Sequence, residues 1–279
     1  ANMAWFMQRI APAFTKTKVV FDTVDLYFLR EEREFQLFSE GMPRRAAAAL
    51  AQSREQELSM IGLADVTLVV SAHELELLDE LGCGGQVEVL SNSHPSPLTQ
   101  GLEWSEREGL IFVANFHHRP NEDGLIWFLN EIYPLIVEGL GSVPLTVVGA
   151  PAPKHLERDD NPAVNVVGWI DDLEDTYGRS QVAIAPLRFG AGIKGKVGEA
   201  WAHGVPVVMT GIAAEGMHLE GELAEFISDN PREFADVIIK LLTEEALWNR
   251  VSALSRSHAE THFGSATFSK ALSRIVGLL

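Results

Sequence analysis

VAIAPLRFGAGIKGKVGEAWAHGVPVVMT, Val182 to Thr210, is the stretch whose reading decides the fold. Val182 to Pro186 is an apolar run with the length of a buried strand. Leu187 to Ile193 is a loop with glycines at 190 and 192, followed by Lys194 and Lys196. A helical run continues through Glu199 to His203, Gly204 can end it in a left-handed conformation, and Val205 to Met209 is a second buried strand. Strand, Gly-rich loop, helix and strand follow in order. Such a loop presents backbone N–H groups at a helix N-terminus, where the macrodipole favours an anion. Lys194 and Lys196 add point charges suited to a phosphate or pyrophosphate. Glu199, one to two turns further on, can accept hydrogen bonds from a ribose diol. It stands among Val197, Ala200, Trp201 and Ala202, and a carboxylate in apolar company needs a partner. The competing reading is turn glycines and solvated first-turn lysines. The spacing of Gly190, Gly192, Lys194, Lys196 and Glu199 suits a nucleotide-diphosphate site.

Composition bounds the alternatives. The chain has 279 residues, enough for one large or two medium domains, and is 46% apolar. A net charge of −17 argues against non-specific nucleic-acid binding, which needs a basic footprint. It argues less strongly against an anionic membrane surface, since a local basic patch would still permit peripheral contact. A single cysteine, Cys83, excludes an internal disulfide and any Cys-rich metal site and fits a reducing cytoplasm. No apolar run is long enough for a transmembrane helix, and no secretory signal is evident. Ala1 opens in what reads as the middle of a helix, residues 1–14, as in a fragment.

Along the chain, strands alternate with helices. Lys18–Asp22 reads as a strand with Asp22, Thr23, Val24 and Asp25 at its carboxyl end, where open α/β sheets bind ligands. Asp25 is the first candidate for a catalytic carboxylate and Asp22 the second; the competing role is a helix N-cap. Helices are expected over 29–38 and 44–62, a strand over 64–71, a helix from Ala72 capped by Ser71, and a strand over 87–90. The polar, proline-containing Ser91–Pro97 reads as a linker. Beyond it come a strand at Leu110–Ala114, the loop Asn115–Gly124 with His117, His118 and Arg119, and a helix whose apolar residues recur from Leu125 to Ile136. Adjacent histidines rarely ligate one ion, and no third ligand is evident. Strands follow at 145–148 and 164–167, the latter ending in Gly168, with Asp171 as an N-cap and Trp169 free to stack on a ligand but read first as packing. Thr210–Met217 reads as a loop. Helices are expected from Pro231, over 244–259 and over 265–278. The pattern is α/β, parallel sheets with helices on both faces, with domains at 1–97 and 98–260 and a terminal helix at 261–279.

PLRFGAGIKGKVGEAWAHGVPVVMT resembles the donor-binding signature of GT-B glycosyltransferases, the family 4 and group 1-like set. The resemblance covers roughly residues 110 to 260, more loosely back to about 19. It is sharpest at Gly190–Glu199, at EGM (Glu215–Met217) and at VVGWIDDL (Val166–Leu173). It implies two Rossmann-like domains, the N-terminal one truncated, and transfer of a sugar from a nucleotide-diphosphate sugar to an acceptor glycan, lipid or protein in glycan biosynthesis. By the same resemblance, His118 or Arg119 faces the donor phosphates, Gly168 to Ile170 line the base pocket, Glu215 lies near the donor, and the last helix crosses back to the first domain. No cofactor and no metal is expected, since lysines and helix dipole can carry the diphosphate charge. The pattern departs from many family 4 members in one place: Ala191 stands where the first of two glutamates would fall. A nucleotide-sugar epimerase of the same fold and a donor-binding module without turnover are the alternatives.

Overall fold

A computed structural model describes residues 17–39, 44–83, 85–97, 101–151 and 162–278, together with Arg9. The expected helix at residues 1–14 otherwise lies outside the described residues, as does most of the connector after Pro151. The chain divides into two units. One comprises residues 1–92, 189–193 and 266–279, the other 93–188 and 194–265. Residues 93–97, the end of the expected linker, cluster with the second unit.

In the first unit, β1 (Val20–Asp22) leads through α1 (Tyr27–Phe38) and α2 (Arg44–Leu63) to β2 (Val66–Val69), α3 (Ala72–Glu80) and β3 (Gln86–Val89). The sheet is parallel in the order β1-β2-β3, with Val20 opposite Val66 and Val66 opposite Gln86. Ser71 caps α3 as its sequence context predicts, accepting the Glu74 N–H. The N-terminus of α1 is closed from a distance. Glu57 of α2 accepts the Tyr27 and Phe28 N–H groups at 2.9 and 2.7 Å. Glu74 of α3 accepts the Leu26 and Val70 N–H groups, each at 3.2 Å. Both glutamates are buried, at 6% and 1% exposure. Burial pushes the Glu57 carboxyl up, against the backbone hydrogen bonds that hold it down. Leu26, Phe28, Ile61, Val69 and Leu78 fill the core between these elements.

The second unit has five parallel strands: β4 (Leu110–Val113), β5 (Leu145–Val148), β6 (Val164–Gly168), β7 (Val182–Ala185) and β8 (Val207–Met209). Their order is β6-β5-β4-β7-β8. Counted within the unit this is 3-2-1-4-5, the doubly wound order, whose strand direction of travel reverses between β4 and β7. α4 (Arg119–Trp127), a π-helical turn at Phe128–Ile132 and α5 (Tyr133–Leu140) form one run after β4. Proline at 134 cannot donate and crowds the carbonyl four residues back, and the wide turn lies just ahead of it. This run begins at Arg119, with Pro120 in the first turn, and not beyond Gly124: proline's fixed φ suits a helix start.

α6 (Glu174–Arg179) precedes β7, and α7 (Gly195–Ala202) connects β7 to β8. Gly204 has a φ of +67° just past the end of α7, as its position implies. Thr210–Met217 is not all loop. A short helix, α8 (Gly211–Ala214), occupies it, with the Ala213 N–H donating to Thr210 Oγ1 at 3.4 Å. α9 (Pro231–Thr243), capped by Asn230, and α10 (Glu245–Phe263) complete the unit. Phe112, Leu125, Phe128, Leu145, Val182 and Phe234 anchor its core. The terminal helix α11 (Ser265–Val276) groups with the first unit, where Ile275 packs with Val66 and Leu68. No helix among the described residues is long and apolar enough to cross a membrane.

Candidate functional site

A cavity of about 710 Å³ opens at the carboxyl ends of β4, β5 and β6 in the second unit. Val113 to Asn115, Val148 and Gly149, and Trp169 to Glu174 form its strand-end wall, facing Lys196, Glu199 and His203 of the α7 segment. This is where doubly wound sheets place ligands. At Gly149, φ is +136°, and a Cβ would run into the carbonyl of Ala114. Only glycine lets β5 turn out of the sheet so close to β4.

Glu199 is half-buried on α7, and burial raises its carboxyl above the usual carboxylate range. Among the described residues it has no hydrogen-bond or ion-pair partner. A carboxylate so placed is ready for a donor pair from outside the protein. Lys196, one turn earlier, sends its ammonium to Asn121 Oδ1 at 2.6 Å and over the Phe112 ring, 4.5 Å from the centroid. Burial, with the neighbouring Lys194 charge second, pulls its pKa down to about 7. Lys194 itself is 8% exposed. Neither lysine is thus the solvated first-turn residue of the competing reading. His203 stacks on Tyr177, with ring centroids 5.1 Å apart, and burial lowers its pKa.

The remaining expected site residues are placed as follows. Gly168 ends β6 with φ +73°, immediately before the Trp169–Glu174 wall. Trp169 does not pack inward. It is 72% exposed, and its indole N–H donates to Asp171 Oδ1 at 2.8 Å. Asp171 is therefore not the N-cap of α6. Leu173 holds the N-cap position without a side-chain cap, and Asp172 before it accepts the Glu174 N–H at 2.8 Å. His118 and Arg119 sit exposed at the start of α4 and do not line the cavity; nor does Glu215, at the end of α8.

Gly190 and Gly192 belong to the first unit. There the Gly190 carbonyl accepts a hydrogen bond from Arg33 at 2.7 Å. A Cβ at Gly192, where φ is +68°, would meet the Cβ of Asp25 at 2.8 Å. Asp25 forms an ion pair with Arg30 of α1, and Asp22 Oδ1 accepts the Val24 N–H at 3.1 Å. Neither aspartate caps α1, because Glu57 and Glu74 do.

Sequence reading missed Asn121, His203 and the Asp172–Glu174 wall. Asn121 and Lys196 are far apart in the chain, and only the sheet order brings them together. His203 carried a usable signal, since it lies one helical turn past Glu199.

Residues 107–244 match the family described as glycosyl transferases group 1. Over 116 residues the chain is 30% identical to a 44.6 kDa protein in the cps region of Klebsiella pneumoniae, covering 38% of this chain and 30% of that one. Among solved structures it resembles TarM, with a TM-score of 0.64 at 17% identity over 81% of this chain and 46% of TarM. It also resembles Anabaena Alr3699/HepE solved with UDP, with a TM-score of 0.68 at 12% identity over 99% of this chain and 76% of that one. The chain thus spans under half the length of TarM and less than a third of the Klebsiella protein. The chain has the group 1 glycosyltransferase-like GT-B fold, and its residues 107–244 match that family's model.

Proposed function

We propose that this protein transfers a sugar from a nucleotide-diphosphate sugar to an acceptor, and that the donor occupies the cavity at the ends of β4, β5 and β6. One observation carries the reading. Glu199, a half-buried carboxylate without a partner among the described residues, and the Lys196 ammonium open onto the same cavity at a doubly wound sheet's ligand position. Glu199 takes the ribose hydroxyls. Lys196, with Lys194 beside it, takes the diphosphate. Leaving-group charge on the diphosphate grows as the glycosidic bond breaks, so these cations act chiefly on the transition state.

Gly168 and the backbone that follows it take the base, and the exposed Trp169 forms the rim. That HepE, a protein of similar fold, was solved in complex with UDP supports a nucleotide as ligand. His118, Arg119 and Glu215 are assigned to the donor by family resemblance alone. Asp25, with Asp22 next to it in the same strand-end turn, is the acceptor-side carboxylate. The lysines and the α7 N-terminus supply the positive charge, and the chemistry is assigned without a metal. A hexose as the transferred sugar and a cytoplasmic setting, where nucleotide sugars are made, complete the reading.

The test is incubation with UDP- and GDP-sugars against a panel of glycan, lipid and peptide acceptors, following release of nucleoside diphosphate and labelled product. Release that depends on an acceptor is expected. Tight nucleotide binding with no turnover on any acceptor would instead mark a donor-binding module.

A further inference from the structure

Lys196 is partly exposed along its length with its ammonium end buried, and among the described residues no counter-ion pairs with it. Among the described residues its one hydrogen-bond acceptor is Asn121 Oδ1, and the Phe112 ring lies beneath it. The Asn121 amide is itself held: its Nδ2 donates to the Asn115 carbonyl at 2.7 Å, and its backbone N–H to the His118 carbonyl at 3.0 Å. With Nδ2 committed to a carbonyl, only Oδ1 can face the cation. Asn115 belongs to the cavity wall, so this amide ties the first loop of the unit to the lysine.

Other charged groups around Lys196 are Lys194 before it, Glu199 one turn on, and Asp171, Asp172, Glu174 and His203 across the cavity. Tyr177 of α6 reaches only the Lys196 carbonyl, at 3.5 Å. Asp123, two residues past Asn121 on α4, is committed to Arg188.

We propose that Asn121 is the positioning residue for Lys196, holding its side chain at the cavity wall in the free protein, and that nucleotide-diphosphate binding delivers a proton to that lysine. The inference rests on the nucleotide-donor reading above. Its physical basis is that one neutral acceptor and one ring face compensate a buried ammonium poorly, whereas a diphosphate compensates it fully. In the free protein the amine sits near 7. A bound diphosphate raises that value, so in the window between the two the amine must take up a proton for the ligand to bind. Affinity is level below the free value and falls by about tenfold per pH unit above it until the bound value is reached.

Isothermal titration calorimetry of UDP and GDP at pH 8, in two buffers of different ionisation enthalpy, measures the proton count directly. The wild type is expected to take up most of one proton per nucleotide. Asn121→Asp puts a carboxylate against the ammonium and keeps it charged, so its uptake should vanish and its affinity should become flat with pH. Lys196→Arg, permanently charged, should show no uptake either. Asn121→Ala should keep the uptake and bind more weakly. Binding without uptake by the wild type overturns the proton coupling and leaves the donor reading intact. Unchanged uptake in Asn121→Asp overturns the role of Asn121. Absence of binding at every pH overturns both readings.

Discussion

Lys196 shows how a single residue can hold a charge at the cost of the fold. Its folded pKa of about 7 lies below the ordinary lysine value of 10.5. Between those values the unfolded chain holds more protons than the folded one, so stability rises with pH across that window. Lys196→Met removes the buried charge. We expect its melting midpoint at pH 7 to be about a few degrees higher than wild type, with much less gain between pH 7 and 9. Parallel stability curves for the two proteins would mean that the ammonium is not strained. At this scale the sequence was legible where residues are close in the chain: Lys196 and Glu199, which line one cavity, are read from one stretch. It was not legible where the partner is remote. Nothing near Lys196 in the chain names Asn121. Trp169 and Asp171 were assigned inward packing and a helix cap, yet they bond to one another at the surface, a choice set by which aspartate lies nearest the Glu174 N–H.

At the scale of elements, every described strand was expected, and the buried β4, β7 and β8 leave the continuous apolar signature of central parallel strands, whereas β1, β3 and β6 are only partly buried. Helix beginnings were less legible. α1 is closed by Glu57 and Glu74 from two other helices, so no local cap marks it. Glu57→Ala strips acceptors from the Tyr27 and Phe28 N–H groups, and about 2–4 kcal/mol should be lost, on the scale of unsatisfied buried donors. Glu57→Gln retains one acceptor oxygen and should lose less. Urea unfolding measures both. Equal midpoints for wild type and Glu57→Ala would show that solvent satisfies those groups. The start of the helix after β4 at Arg119, and the short helix in 210–217, escaped reading for a related reason: both are fixed by turns whose residues also suit loops.

For the whole molecule, the parallel pattern follows from alternation of strand and helix and the two-unit division from the polar, proline-containing Ser91–Pro97, while the 3-2-1-4-5 order is set by tertiary packing that no local pattern encodes. That order places the Gly149 corner, the β6 end and α7 around one cavity. In a chain of net charge −17, Lys194 and Lys196 set two positive charges in this segment, which the proposed function assigns to the phosphates. Added salt should weaken nucleotide binding only to the extent that the phosphates stay exposed to it.

The most direct measurement is calorimetric titration of UDP and UMP into wild type, Lys194→Ala, Lys196→Ala and Glu199→Gln, repeated with GDP and GMP. The lysine variants should each weaken the diphosphate more than the monophosphate. Glu199→Gln should weaken both about equally, by roughly 1–3 kcal/mol, because both nucleotides carry the ribose. Lysine variants that treat mono- and diphosphate alike, or a Glu199→Gln variant that binds as wild type does, would contradict the assignment of this cavity to a nucleotide-diphosphate donor.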